Sequence, residues 1–270
     1  MSVRRAGCVL LSGVLCMAAP RAQAWGPGVH QAVTGRAIDT LPGGLKTFYR
    51  THRLELPTLS LEPNFPEEGP ERRFAIDHMM PFPFLDFPTS EAAVKARFGE
   101  AGAEIGRLPW LTLESYSRLV DAFKSRDKGR ILEESDTLAS LLTDLHNPLA
   151  LTENADGQKS EQNGLWVRFS VKLPEAMGGR LKLSPDAAAF LDDPKGYLFD
   201  IVRASYVWAD NVLYLDEIAH RGKSGYTEIY YEFLELRAGE VLKARLSVAA
   251  REVGSYWYTA WTAAGRPELK

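Results

Sequence analysis

The chain has 270 residues, of which 45% are hydrophobic and 25% are charged, enough for one sizeable core and at most two domains. Lysine and arginine number 32 against 35 acidic residues, so the formal net charge is −3. This acidic balance gives no electrostatic footprint for duplex nucleic acid or an anionic membrane.

Residues 1–24 have the pattern of a secretory signal peptide. Arg4 and Arg5 precede an apolar run, AGCVLLSGVLCMAA, which is too short to span a bilayer comfortably, and AQA offers small residues for cleavage after Ala24. Cleavage would make Trp25 the mature N-terminus and remove both cysteines and three arginines, leaving a net charge of −6. We therefore predict an exported protein, periplasmic or extracellular, without disulfides or a transmembrane segment.

The mature chain, residues 25–270, predicts a single all-α domain built as a helical bundle. Apolar residues recur at helical spacing in HQAVTGRAIDTL, PWLTLESYSRLVDAFKS, GRILEESDTLASLLTDLHNPL and two long segments after residue 192, and Thr89/Ser90 predicts a helix cap. Two long irregular stretches, the proline-rich 53–89 and 150–183, are predicted to lie over one end of the bundle. Within the second, LWVRFSVKL alternates and predicts a short strand or an extended piece.

The segment LASLLTDLHNPLA, residues 138–150, carries the most chemical information. Asp144 lies among leucines of an apolar helix, where a carboxylate must be paired, capped or bound to a metal. Ser140 lies one turn earlier on the same side. Two interpretations stay open: Asp144 accepts hydrogen bonds from the loop of the 150s, or it is a metal ligand.

The five histidines divide into two groups. His52 and His220 lie at predicted helix ends, where the helix dipole favours a cation, and are interpreted as capping residues. His30, His78 and His146 remain as candidates for chemistry.

In chain order, several features resemble the zinc-dependent phospholipase C and S1/P1 nuclease superfamily. They are the mature Trp25 with His30 five residues on, RFAID at 73–77, LASLLTDLHNPLA, the loop TENADGQKSEQNGLWVRFS and the closing YWYTAWTAAGRP. The resemblance covers nearly the whole mature chain. It implies that family's helical fold, three zinc ions and hydrolysis of phosphodiesters, with a phospholipid or nucleic acid as substrate by family analogy alone.

Most of the zinc ligands that the resemblance implies are substituted here. The affected positions are Asn64, Phe74, Ser140, Ala150, Trp166 and Ser170, none of which supplies a strong zinc ligand. His78 is a candidate stand-in for the ligand missing at Phe74. His146 is implied to be a common helix residue rather than a ligand.

One implied site keeps all its protein ligands: the amine and carbonyl of Trp25, the imidazole of His30 and the carboxylate of Asp144. An α-amine and its own carbonyl close a five-membered chelate, and the amine titrates near 7.7–8.0, so a metal can displace its proton near neutral pH. Since the amine exists only after cleavage, metal loading would follow export. We expect at most one Zn²⁺ and no three-zinc cluster.

Three functions remain open. The first is a secreted pseudoenzyme of this superfamily with at most one metal. The second is an active one-metal phosphoesterase that uses Trp25, His30 and Asp144, with His78 or His146 as general acid or base. The third is a metal-free helical binding protein, in which Phe74 and Trp166 fill the emptied sites.

Overall fold

The computed structural model describes residues 25–56 and 70–269, and every regular element in these ranges is a helix. The principal helices are α1 (Pro27–Thr40), α2 (Gly43–Thr51), α3 (Glu91–Phe98), α4 (Ala101–Glu104), α5 (Leu108–Ser125), α6 (Lys128–Leu145), α7 (Leu165–Val167, continued by a π-helical Arg168–Lys172 and by Leu173–Met177), α8 (Pro194–Tyr206), α9 (Ala209–His220) and α10 (Glu228–Ala263). The predicted all-α class is confirmed. The predicted signal peptide, residues 1–24, lies outside the described residues.

Helix ends follow the local sequence. Ser90 caps α3 by accepting a hydrogen bond from the Ala93 amide, as predicted, and Asp127 and Asp193 cap α6 and α8 in the same way. Pro148 follows the end of α6, where its ring prevents the helix from continuing.

The long helix α10 organises the bundle. It packs against α1, α5, α6 and α9, while α5 and α6 form the most extensive helix pair. Trp257 of α10 stacks on Tyr49 with ring centroids 4.4 Å apart, and its indole donates to the Ser135 carbonyl at 3.1 Å. Each such buried ring removes roughly 150–250 Å² from water, which corresponds to about 4–6 kcal/mol of hydrophobic stabilisation.

The stretch 150–183 is irregular only in part, as turns and bends over 152–164, whereas residues 165–180 are helical. LWVRFSVKL is helical and forms most of α7, so the predicted strand or extended piece is wrong. Its alternating pattern arises because Leu165, Phe169 and Leu173 are buried at helical spacing. The non-helical chain lies just beyond, at 181–193, and runs along α10.

Hydroxyl groups of α10 hold this extended segment in place. Its amides at Ser184, Ala189 and Leu191 donate to side-chain oxygens of α10 at 3.0–3.1 Å. Because backbone polar groups need partners when they are removed from water, these hydroxyls allow a non-helical segment to cover the bundle. Among the described residues, no helix is both long and apolar enough to cross a membrane.

Candidate functional site

The candidate site lies where α1 meets the C-terminal end of α6. His30 is in the first turns of α1, and Asp144 is in the last turn of α6. Asp144 is fully buried and His30 is 6% exposed. The His30 Nε2 and Asp144 Oδ1 atoms lie 3.4 Å apart, and neither has a hydrogen-bond partner.

Arg72 supplies the counter-charge of Asp144. Its guanidinium donates from Nε to Asp144 Oδ2 at 3.0 Å and from Nη2 both to the same oxygen and to Ser140 Oγ, the latter at 2.7 Å. The Arg72 side chain is 7% exposed. A permanent charge is thus fixed on one oxygen of a buried carboxylate, while the other oxygen faces His30.

Sequence reasoning missed Arg72. A buried carboxylate requires a partner, and the sequence led us to expect hydrogen-bond donors from the loop of the 150s. The side-chain partner comes instead from the segment at 70–72. The signal in the sequence was the pair of adjacent arginines Arg72 and Arg73, the second of which begins the segment RFAID. Only one of those adjacent arginines reaches Asp144, and alternation alone does not tell which.

Burial favours the neutral form of His30. Burial lowers the pKa of His30, the nearby Asp144 opposes that shift, and the Arg72 cation adds to it. The neutral imidazole is the form that binds metals. At neutral pH the ring that faces the Asp144 carboxylate is therefore the neutral imidazole.

Trp25 anchors the beginning of the described chain against the same end of the bundle. Its indole donates to the main-chain oxygen of Thr143 at 2.9 Å, and its ring contacts Phe169 with centroids 5.7 Å apart. The amide of Gly26 donates to the Ser170 carbonyl at 3.2 Å. Because Thr143 precedes Asp144, these bonds hold the predicted mature terminus beside α6.

The positions at which the resemblance implies zinc ligands are mostly filled by packing. Phe74 is fully buried and makes edge-on contacts with Phe87, Trp110 and Phe199. Ala150 is fully buried and accepts a hydrogen bond from the Phe74 amide at 2.7 Å, and Trp166 is 5% exposed. Asn64 lies outside the described residues.

Ser170, another substituted position, joins a local polar network. Its hydroxyl accepts from the Asn147 side-chain amide at 2.9 Å, and both residues are fully buried. Together with Ser140, which is bonded to Arg72, the two serines act as hydrogen-bonding groups within the core.

His78 and His146 do not share the surroundings of His30. His78 is one-third exposed and its Nδ1 lies 3.2 Å from Glu153 Oε1. His146 is fully buried, with its Nδ1 against the Leu142 carbonyl at 2.8 Å. Burial, reinforced by the Arg245 cation, lowers the pKa of His146 to about 3.

The two predicted capping histidines lie at helix ends. His52 follows the last residue of α2, and its Nδ1 contacts Glu55 at 2.7 Å, while His220 ends α9 and stacks on Tyr226.

No protein-family model matches this chain, and a search of curated proteins finds no match. The resemblance to phospholipase C and P1 nuclease therefore stays a hypothesis carried by residues and their order.

Metal chemistry at this site depends on a small donor set. Within 25–56 and 70–269, no group of three or more His, Cys, Asp or Glu side chains is arranged to hold a metal ion. His30 and Asp144 supply two donors, and further protein donors would have to come from the main chain of Trp25. Zinc bonds of about 2.0–2.1 Å in tetrahedral geometry place ligand atoms roughly 3.3 Å apart. The 3.4 Å separation between His30 Nε2 and Asp144 Oδ1 fits that spacing.

Proposed function

We propose that the cleaved, exported chain is a phospholipase C/P1 nuclease-like protein that lacks three-metal phosphodiesterase activity and holds a single metal ion. The observation that carries this proposal is the binding of Arg72 to both Ser140 and Asp144. The resemblance implies metal ligands at those two positions. A guanidinium there supplies positive charge, but it cannot coordinate a substrate oxygen or activate water as a metal ion does.

The packing of the substituted positions supports the same proposal. Phe74 and Ala150 are fully buried and hydrogen-bonded to each other through their main chains. An aromatic ring enclosed by three others leaves no polar group to bind a phosphoryl oxygen. The sequence change at these positions has therefore exchanged ligands for hydrophobic contacts.

The pair His30–Asp144 supports retention of one metal. Buried polar atoms are nearly always hydrogen-bonded, and a group without a partner calls for an explanation such as an ion. Here both nitrogens of His30 and Oδ1 of Asp144 lack partners. A bound zinc ion would supply a Lewis-acid cation, and Trp25 would add its amine and carbonyl after cleavage.

The low exposure of the pair favours a structural role for that metal over one-metal hydrolysis. Asp144 is fully buried and His30 is 6% exposed, so a phosphodiester finds little surface to reach. The metal would instead tie the mature terminus and α1 to the end of α6.

The test uses protein that begins at Trp25 and has been loaded with zinc and dialysed. Its metal content is measured, and its activity is assayed on bis(p-nitrophenyl) phosphate. We expect one zinc ion per chain and no turnover. His30→Ala should lose the metal, and so should a form with one extra residue before Trp25, since that residue converts the amine to an amide. His146→Gln is the matched control, because His146 is buried outside the pair and should keep the zinc.

Other outcomes separate the alternatives. Three zinc ions with turnover would overturn the proposal. One zinc ion with turnover that is lost in His30→Ala would establish the one-metal phosphoesterase instead. A cleaved protein without zinc at saturating concentration would leave the metal-free binding protein.

A further inference from the structure

A second feature of the fold is a basic cleft on the outer face of α1, away from the buried face that carries His30. The cleft has a volume of about 480 Å³ and lies between α1, the residues after α2 and the segment at 181–184. Its polar side chains are Gln31, Arg36, Arg53, Lys182 and Ser184, and no aspartate or glutamate lines it.

The two arginines of the basic cleft are held by main-chain carbonyl groups. Arg36 donates from Nε to the Leu183 oxygen at 3.1 Å, and Arg53 donates from Nη2 to the Gly35 oxygen at 2.9 Å. These bonds fix the guanidinium planes at the cleft wall while the side chains stay more than 40% exposed. Positioned donors of this kind need little reordering when a ligand binds.

The positive charge at the cleft is not balanced by the neighbouring acidic residue. Asp39 lies within 3.4–3.7 Å of Arg36, Arg50 and Arg53 and is shared among all three. Lys182 is exposed, and its amine has no ion-pair partner within the described part of the chain. Arg36, Arg53 and Lys182 against Asp39 therefore leave an excess of two positive charges.

We propose that the basic cleft binds an organic phosphomonoester. Such a group carries about −1.5 to −2 charges near pH 7 and three strong acceptor oxygens, which matches both the excess charge and the arginine donors. The cleft is of a size that holds a small organic ligand rather than an isolated anion. An apolar groove of about 260 Å³ shares Ala32 and Leu181 with it and would receive the organic part.

The test is isothermal titration of the mature protein with glycerol 3-phosphate and with inorganic phosphate, at low and at physiological salt. We expect saturable binding of the ester. Lys182→Ala should weaken it about five- to tenfold, as expected when one charged hydrogen-bonding partner is lost at a partly screened site. Arg36→Ala should weaken it at least as much. Lys95→Ala, which also removes one exposed cation but lies on α3, should leave the affinity unchanged.

Cosedimentation with phosphatidylcholine vesicles, with and without phosphatidic acid, identifies the source of the phosphate. If the protein binds glycerol 3-phosphate but not the vesicles, the ligand is a free phosphomonoester. If it binds both, and Lys182→Ala weakens both, the ligand is a lipid headgroup. The inference is overturned if glycerol 3-phosphate does not bind, or if Lys182→Ala and Arg36→Ala bind it as the unchanged protein does. Circular dichroism of each variant checks that a loss is not caused by unfolding.

Discussion

Two buried arginine–aspartate pairs in this molecule differ in how completely their carboxylate oxygens are hydrogen-bonded. In the first, Asp216 accepts from Arg168, Tyr230 and Gln162, so both carboxylate oxygens are occupied. In the second, Arg72 binds Oδ2 of Asp144, while Oδ1 faces His30 without a hydrogen bond. Both aspartates are at most 1% exposed.

The difference separates a pair that is fully hydrogen-bonded within the protein from one whose carboxylate has an oxygen without a donor. The remaining donors of Arg168 go to the Asn163 and Gln162 carbonyls, and its guanidinium lies 3.8 Å from the Tyr226 ring centroid. A cluster saturated in this way has no capacity for another cation. The buried atoms left over at His30 and Asp144, rather than burial or charge alone, distinguish the second pair.

The largest effect should follow loss of the saturated pair. Arg168→Met leaves Asp216 as a buried charge without its cation, which should lower the free energy of unfolding by about 3–5 kcal/mol. Urea denaturation followed by circular dichroism measures the change. Zinc should not restore stability, because both oxygens of Asp216 keep hydrogen bonds from Tyr230 and Gln162. Arg221→Ala, which removes an exposed partner of Glu217, is the matched control and should change little. A loss as small as that control's would contradict the structural role.

Arg72→Met should lose a comparable amount of stability in the absence of metal, and added zinc should return part of that loss to the variant. The variant leaves Asp144 charged and unpaired, and a zinc ion at His30 and Asp144 can supply the missing charge. Free zinc at about 100 times its dissociation constant should return roughly 2.7 kcal/mol. The same titration of Arg168→Met is the control. Equal zinc responses in the two variants would show that the two pairs do not differ as described.

The pH dependence of stability should separate the same two regions. Burial lowers the pKa of His30 below 6.5, so the unfolded chain binds more protons than the folded chain as the pH falls. The contribution of His30 is therefore complete above about pH 6.5 and decreases at lower pH, with a limiting slope near 1.4 kcal/mol per pH unit. His30→Gln should reduce the measured slope below pH 6.5, by at most one proton.

Arg168→Met is the control for this slope, since arginine does not titrate in that range. His146, whose pKa is about 3 in the folded chain, contributes a similar slope and is present in both His30→Gln and Arg168→Met. A slope unchanged in His30→Gln would mean that the folded protein protonates His30 as readily as the unfolded chain does.

The sequence predicted the fold well where the helical period decides structure. The predicted helices correspond to α1, α3, α5, α6 and α10. All but α3 have an apolar stripe, whereas α3 buries only Val94 and was predicted from its cap. The first of the two long segments after residue 192 is divided in the structure into α8 and α9 at Val207 and Trp208. Alternation over nine residues does not distinguish a strand from a helix, and in LWVRFSVKL the apolar Val167 lies on the exposed side of the helix.

The candidate site was predictable in part. The requirement that a buried carboxylate have a partner identified Asp144, and the resemblance brought in His30, which the structure places 3.4 Å away. Arg72 is 72 positions distant in sequence, and no local rule pairs residues at that separation. The basic cleft was hidden for a related reason: a net charge of −6 sums over the chain and does not report how Arg36, Arg53 and Lys182 cluster.

The smallest effect should come from His78, the sequence's alternative ligand. The structure ties its surroundings to the next loop, because the Asp77 carboxylate accepts from the Thr152 hydroxyl and the Glu153 amide. His78 itself pairs with Glu153 at the surface. His78→Ala should therefore change the unfolding free energy by no more than about 0.5 kcal/mol and leave the zinc content of the cleaved protein unchanged. If His78→Ala lost zinc as His30→Ala is expected to, the metal would depend on a donor outside the pair, and the contrast between His30 and His78 would fail.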